Sequence, residues 1–120
     1  MSKKREKLYK KCHDVLLVKK EELLNTVKGL NSSLAQEVTG DEGDMAQALI
    51  DQNNALSQQE RLMMRLKEIE EALMRIEEGS YGVCVITEEP IEEGRLLAMP
   101  WTKLSLIGAE QVEAERKRFA

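Results

Sequence analysis

The stretch QERLMMRLKEIEEALMRIEEG, Gln59–Gly79, decides the fold. Leu62, Leu66, Ile69, Leu73 and Ile76 recur in steps of four and three, the spacing that lines one face of a helix. Most of the remaining positions are charged. Gly79 stands where a C-cap glycine ends a helix. Reading backwards, neither Pro nor Gly occurs as far as Met45, and Met45, Leu49, Leu56 and Met63 form a second stripe, shifted in phase from the first. The spacing predicts a helix from about Met45 to Glu78.

An earlier segment has the same character. From Lys4 to about Glu37 there is no Pro, and Gly29 is the only glycine. Leu8, Cys12 and Val15, then Leu23, Val27, Leu30 and Leu34, again advance in threes and fours. Between the two periodic segments lies VTGDEGD, Val38–Asp44. Each helix is roughly 30–35 residues, or about 45–50 Å at 1.5 Å per residue. Neither can bury its stripe alone. A short Gly-containing connection lets the two fold back on each other as an antiparallel pair. Polar residues within the stripes, Gln52, Gln59 and Glu70, suit a two-stranded seam better than an enclosed bundle core.

Composition agrees. Of 120 residues, 42% are hydrophobic, only 3% aromatic and 33% charged, which favours helices over a β-sandwich. The net charge of −4 argues against direct sequence-specific DNA binding. The two cysteines, Cys12 and Cys84, lie far apart and make no disulfide framework; reduced thiols in a cytoplasmic protein are the expectation. The opening MSKKREKLYKK is basic but no apolar region follows it, so it does not read as a signal peptide. No apolar run approaches the ~20 residues of a membrane span.

Charge is unevenly distributed. Residues 1–30 hold nine Lys/Arg and four acids, whereas residues 31–60 hold six acids and no Lys or Arg. In a folded hairpin the distal half is therefore purely acidic. Asp41 or Asp44 could cap the second helix. One cap needs only one carboxylate, so the remaining acidity suits a partner with a basic channel or a bound Mg²⁺.

After Gly79 the pattern changes. Val83–Thr87 and Arg95–Met99 read as short β-rich runs joined by EEPIEEG, a small hairpin or turn-rich knuckle. Thr102 can cap a last helix from Lys103 to about Arg118. Val83, Ile86, Ile91, Leu96, Leu97, Trp101, Leu104 and Ile107 are candidates for a small core, which would lean on Leu8, Tyr9 and Met74 of the hairpin base. The expected fold is mainly α: a long antiparallel coiled-coil hairpin over residues 1–79, with its acidic tip near 39–46, followed by a small zinc-finger-like globular module with a C-terminal helix over 80–120.

The order of long helix, Asp41-x-x-Asp44-x-Ala46 turn, long helix and tail resembles the DksA/TraR family of bacterial transcription factors. In the tail the resemblance rests on Tyr81, Gly82, Cys84, Pro90, Ile91, Arg95, Leu96, Ala98, Pro100 and Leu104. It implies a monomer that binds bacterial RNA polymerase, docks its tail at the secondary-channel rim and inserts the coiled coil. Asp41, Asp44 and Ala46 would then lie near the catalytic centre, altering initiation as in the stringent response. It also implies a tail zinc held by four cysteines, whose positions here are Cys84, Thr87, Ser105 and Gly108. Three of the four ligands are absent, so no metal is expected. An alternative set of Cys12, His13 and Cys84 near the hairpin base is outweighed by simpler readings. His13 suits a helix surface, and Cys12 sits on an apolar stripe as a small hydrophobe.

The family shares a site for the alarmone ppGpp with polymerase. The matching positions here are Glu68, Met99 and Ala109, with Arg65, Lys67 and Arg95 nearby, so little or no alarmone dependence is expected. No nucleophile–base pair occurs, so no enzyme activity is expected. Two other readings remain at the sequence level: a Gre-type transcript-cleavage factor, which shares the acidic-tipped arm but not this tail, and a coiled-coil adaptor unrelated to polymerase.

Overall fold

The structure, a computed structural model, describes residues 2–34 and 40–119. Helix α1 spans Lys3–Leu34 and α2 spans Glu42–Glu78. They pack against each other as the antiparallel hairpin. The side chain of Leu34, the expected continuation of α1 to Glu37, and Thr39 at the tip lie outside the described residues. At 1.5 Å per residue the 37 residues of α2 make an arm of about 55 Å. The radius of gyration is 19.0 Å, against ~14 Å for a compact chain of this length, and the longest extent is 63 Å.

Both ends of α2 are chemically specified. Asp41 is extended, and its carboxylate accepts the backbone N–H of Asp44 at 2.9 Å. Gly79 is left-handed at φ 82°, and its N–H reaches back to the last turn. The α2 seam differs from the expectation of two stripes out of phase. One unbroken stripe of Ala48, Gln52, Ala55, Gln59, Leu62, Leu66, Ile69, Leu73 and Ile76 is buried or half-buried along the whole helix. Met45, Leu49, Leu56, Met63 and Glu70 are exposed. Alanine and glutamine carry the register through the distal half, and Gln59 donates across the seam to Asn31. In α1 the fully enclosed residue is Leu16, while its neighbour Val15 is 36% exposed.

The tail departs from the expected hairpin in its second half. Arg95–Met99 is not a strand: α3 forms over Glu93–Ala98. Arg95, Leu96, Leu97 and Ala98 are strong helix formers without a β-branched residue among them. The first run keeps one antiparallel bridge, Val83 to Pro90. The last helix, α4, begins at Leu106 rather than Lys103. Ser105 is its cap, accepting Gly108 N–H at 3.0 Å. Thr102 instead folds its hydroxyl onto the backbone of Leu104, and the Lys103 carbonyl accepts Val85 N–H at 3.0 Å.

The tail shares one core with the hairpin base. Leu8, Cys12, Leu16, Ile69 and Ala72 enclose Tyr81, Cys84, Ile91 and Leu96, with Tyr9, Trp101 and Leu104 packed at the edge. Val83, Ile86, Leu97, Ile107 and Met74, expected in this core, are exposed, Ile107 to 61%. The reason is geometric. The tail is too short for a large interior of its own, so beyond the small cluster of Cys84, Ser105 and Gly108 its covered residues are mainly those packed on the hairpin base. Among the described residues, no helix is long and apolar enough to cross a membrane.

Candidate functional site: an acidic tip and a tail built around one thiol

The tip residues Asp41, Asp44 and Ala46 all lie exposed at the start of α2. Their carboxylates sit at the positive end of the helix dipole. The tail begins beyond Gly79 and packs back along α2 as far as Arg65, which lies on the Trp101 ring, leaving roughly 35 Å of helix between it and the tip. The chain thus separates an acidic end from a globular end by the paired helices α1 and α2.

In the tail, Cys84, Thr87, Ser105 and Gly108, the positions that the resemblance aligns with zinc ligands, lie around one sulfur. Thr87 N–H points at Cys84 Sγ at 3.5 Å. A Cβ built on Gly108 would lie 2.4 Å from the same sulfur and 3.3 Å from Ser105 Oγ. The missing side chain at 108 is therefore the space the thiol occupies. Cys84 is 1% exposed. Burial by itself would raise its pKa. Hydrogen bonds from the Ser105 and Thr87 hydroxyls and from their backbone N–H groups together outweigh it and bring the thiol down to about 6.

Arginines of the hairpin hold the tail by its carbonyls, a feature with no signal in the sequence pattern. Arg5 donates to Ile91 O and Gly82 O, each at 3.1 Å, and to Tyr9 Oη through Nε at 3.1 Å and Nη2 at 2.8 Å. Arg75 donates to Trp101 O at 3.4 Å. Burial lowers the Arg75 pKa, against the opposing pull of Glu71, Tyr81 and Glu78. Arg65 stacks on the Trp101 ring at 3.9 Å, and Lys19 lies 5.8 Å from its centroid. Tyr81 Oη donates to Pro100 O at 2.7 Å, and burial pushes its pKa well up.

Beside this junction is a cleft of about 570 Å³. Arg65, Lys67, Arg75 and Lys103 line it together with Glu68, Glu71 and Met99. Arg95 is turned elsewhere, donating through Nε to Leu104 O at 2.7 Å.

Comparison with known proteins agrees with this layout. The prokaryotic dksA/traR C4-type zinc finger matches residues 79–106. The RNA polymerase-binding transcription factor DksA of Caulobacter vibrioides is 35% identical over 104 residues, covering 85% of this chain and 73% of the relative. The chain belongs to the DksA/TraR family. The solved structure of transcription factor DksA2 from Pseudomonas aeruginosa superposes with a TM-score of 0.80 at 34% identity, covering 94% of this chain and 88% of that one. An uncharacterized protein of Aquifex aeolicus is 33% identical over 117 residues, 92% of this chain and 79% of its own length.

The C4-type zinc finger of the DksA/TraR family implies a metal that these residues do not fit. Structural zinc takes four thiolate, imidazole or carboxylate ligands. Cys84 is the single such group among the four positions. Ser105 Oγ is committed to Gly108 N–H, and Gly108 offers no side chain. Among the described residues, no group of three or more His, Cys, Asp or Glu side chains could hold a metal ion, so the set Cys12, His13 and Cys84 is not brought together either. His13 lies instead 3.4 Å from the carboxylate of its neighbour Asp14.

Proposed function

We propose that this chain binds bacterial RNA polymerase, docks its tail at the secondary-channel rim and places Asp41 and Asp44 near the catalytic centre, modulating initiation. The observation that carries this reading is the acidic, Asp41-capped end of α2, which projects roughly 35 Å beyond the point where Trp101 of the tail packs on Arg65. The name of the Caulobacter relative supports the partner. With no Lys or Arg between residues 31 and 60, the distal arm complements a basic, Mg²⁺-containing channel and is steered into it. The action is stoichiometric. Binding to one polymerase conformation shifts the initiation equilibrium by the difference in affinity, with no covalent chemistry. The test is the lifetime of open complexes on a ribosomal-RNA promoter, titrated with the protein, alongside direct binding to purified polymerase. A changed lifetime that saturates with binding supports the proposal. Binding without any change in lifetime defeats the initiation role, and absence of binding defeats the whole reading.

The tail works without zinc. Protein purified without chelator is expected to hold well under one zinc per chain by elemental analysis and to keep its melting temperature in a chelator. Stoichiometric zinc would overturn this. The fold rests instead on the shared core and the arginine–carbonyl bonds.

Alarmone dependence is weak or absent. Glu68 and Glu71 line the cleft at the hairpin–tail junction, and Arg65 is engaged by the Trp101 ring, so a phosphate-rich ligand meets carboxylates as well as cations. Adding ppGpp should alter the protein's effect on open-complex lifetime by less than about twofold, under ~0.5 kcal/mol. Strong synergy on the same promoter would contradict it.

A further inference from the structure

We infer that Arg5 is the positioning residue that sets the angle between the arm and the tail. In its polymerase consequence this rests on the function proposed above; in its structural content it does not. The guanidinium fork spans the pinch of the tail. Nη2 donates to Gly82 O on one side of the Val83–Pro90 bridge, and Nη1 donates to Ile91 O on the other. Gly82 O also accepts Ile91 N–H at 2.8 Å, so Arg5 grips the two limbs where they are already tied together. The fork is itself aimed by Tyr9, one turn along α1, whose phenol oxygen accepts from Nε and Nη2. Tyr9 in turn meets the Tyr81 ring edge-on, with centroids 5.2 Å apart.

Arg5 therefore bonds at one time to α1 and to two carbonyls that are 77 and 86 residues away in sequence. A second attachment lies at Trp101, through Arg75, Arg65 and Lys19. The shared core seats the tail on the hairpin base, and Arg5 and the Trp101 contacts pin it at two separate places, which fixes the angle at which it sits. Lysine cannot replace the Arg5 contact, because one ammonium on a flexible stem cannot present a planar pair of donors to two separate carbonyls. A small change of angle at the base is multiplied along an arm of about 55 Å, so tip placement depends on this contact more than fold stability does.

The test measures the angle directly. Spin labels go on exposed sites of the arm and of the held loop, through Ser57→Cys and Glu89→Cys. The native Cys12 and Cys84 are buried and stay unlabelled. The parent protein is expected to give one narrow distance peak. Arg5→Ala and Arg5→Lys should each lose that narrow peak, while helix content by circular dichroism is unchanged. Tyr9→Phe, which keeps the ring and removes the orienting oxygen, should broaden it partially. In open-complex assays Arg5→Ala should lose most of its maximal effect at saturating protein, whereas its half-saturating concentration rises by no more than about tenfold, the scale of one charge-assisted bond. A parent-like narrow peak in Arg5→Ala overturns the inference. Should that variant fail to fold, a parent-like peak in both Arg5→Lys and Tyr9→Phe overturns it equally. Lost narrowing with a parent protein inert toward polymerase would keep the positioning role and discard the polymerase reading.

Discussion

Asp44→Asn, and more so the Asp41→Asn/Asp44→Asn pair, should reduce the effect on open-complex lifetime by at least about tenfold while polymerase affinity stays within about threefold, a separation of ~1.4 against ~0.65 kcal/mol. Asparagine is the informative replacement. Asp41 caps α2 by accepting Asp44 N–H at 2.9 Å, and Asn caps as well as Asp, so the helix end survives and only charge is lost. Alanine at 41 would confuse the two, since losing a cap costs ~1 kcal/mol of helix stability. Asp44 also packs close to Gly40, whose added Cβ would lie 3.1 Å from Asp44 Cβ, so the isosteric change avoids disturbing that turn. The assay is open-complex decay at saturating protein, with affinity measured separately by competition. Parent-like activity in the double variant would remove the tip from the mechanism.

The second large effect belongs to the tail. Gly82→Ala should lower the melting temperature by about 10–20 °C, or leave the tail unfolded. Gly82 has φ 84°, and a Cβ there would fall 2.3 Å from Tyr9 Oη and within 2.5 Å of two ring carbons. The ring cannot retreat easily, because Arg5 binds its oxygen and Tyr81 abuts it in a T-shaped contact. Left-handed backbone costs a non-glycine residue ~1–2 kcal/mol, and forced overpacking a further ~1–3 kcal/mol. For a chain of this size each kcal/mol moves the midpoint by roughly 3–6 °C. Thermal unfolding followed at 222 nm, with Trp101 fluorescence reporting the tail, checks it. A shift below a few degrees would mean that Tyr9 is not held as described.

The hairpin was legible because its determinants are local and periodic: the stripe from Leu62 to Ile76, the stop at Gly79 and a cap at Asp41 or Asp44, of which Asp41 is the one used, each act within a few residues. The distal seam was not. Hydrophobicity pointed to Met45, Leu49, Leu56 and Met63, whereas the half-buried positions are Ala48, Gln52, Ala55 and Gln59, which continue the phase of Leu62, Leu66 and Ile69. In the tail, Cys84, Thr87, Ser105 and Gly108 were singled out by the resemblance rather than by periodicity, since one cysteine alone marks no site. Its core was misjudged at Val83, Ile86, Leu97 and Ile107, since which face of a short segment is covered depends on α1 and α2, far away in sequence. Arg5 was invisible for the same reason: its partners are carbonyls, and carbonyls leave no trace in residue type.

Where the tip lies when the protein is bound is the central claim, and photocrosslinking reads it most directly. A photoreactive residue replaces exposed Gln47, near the start of α2, and a second variant carries it at exposed Ile107 in the tail. With purified polymerase, position 47 is expected to label segments bordering the catalytic centre, and position 107 the outer rim of the secondary channel. Labelling of the rim by position 107, with position 47 reacting only at the polymerase exterior or not at all, would contradict insertion of the arm.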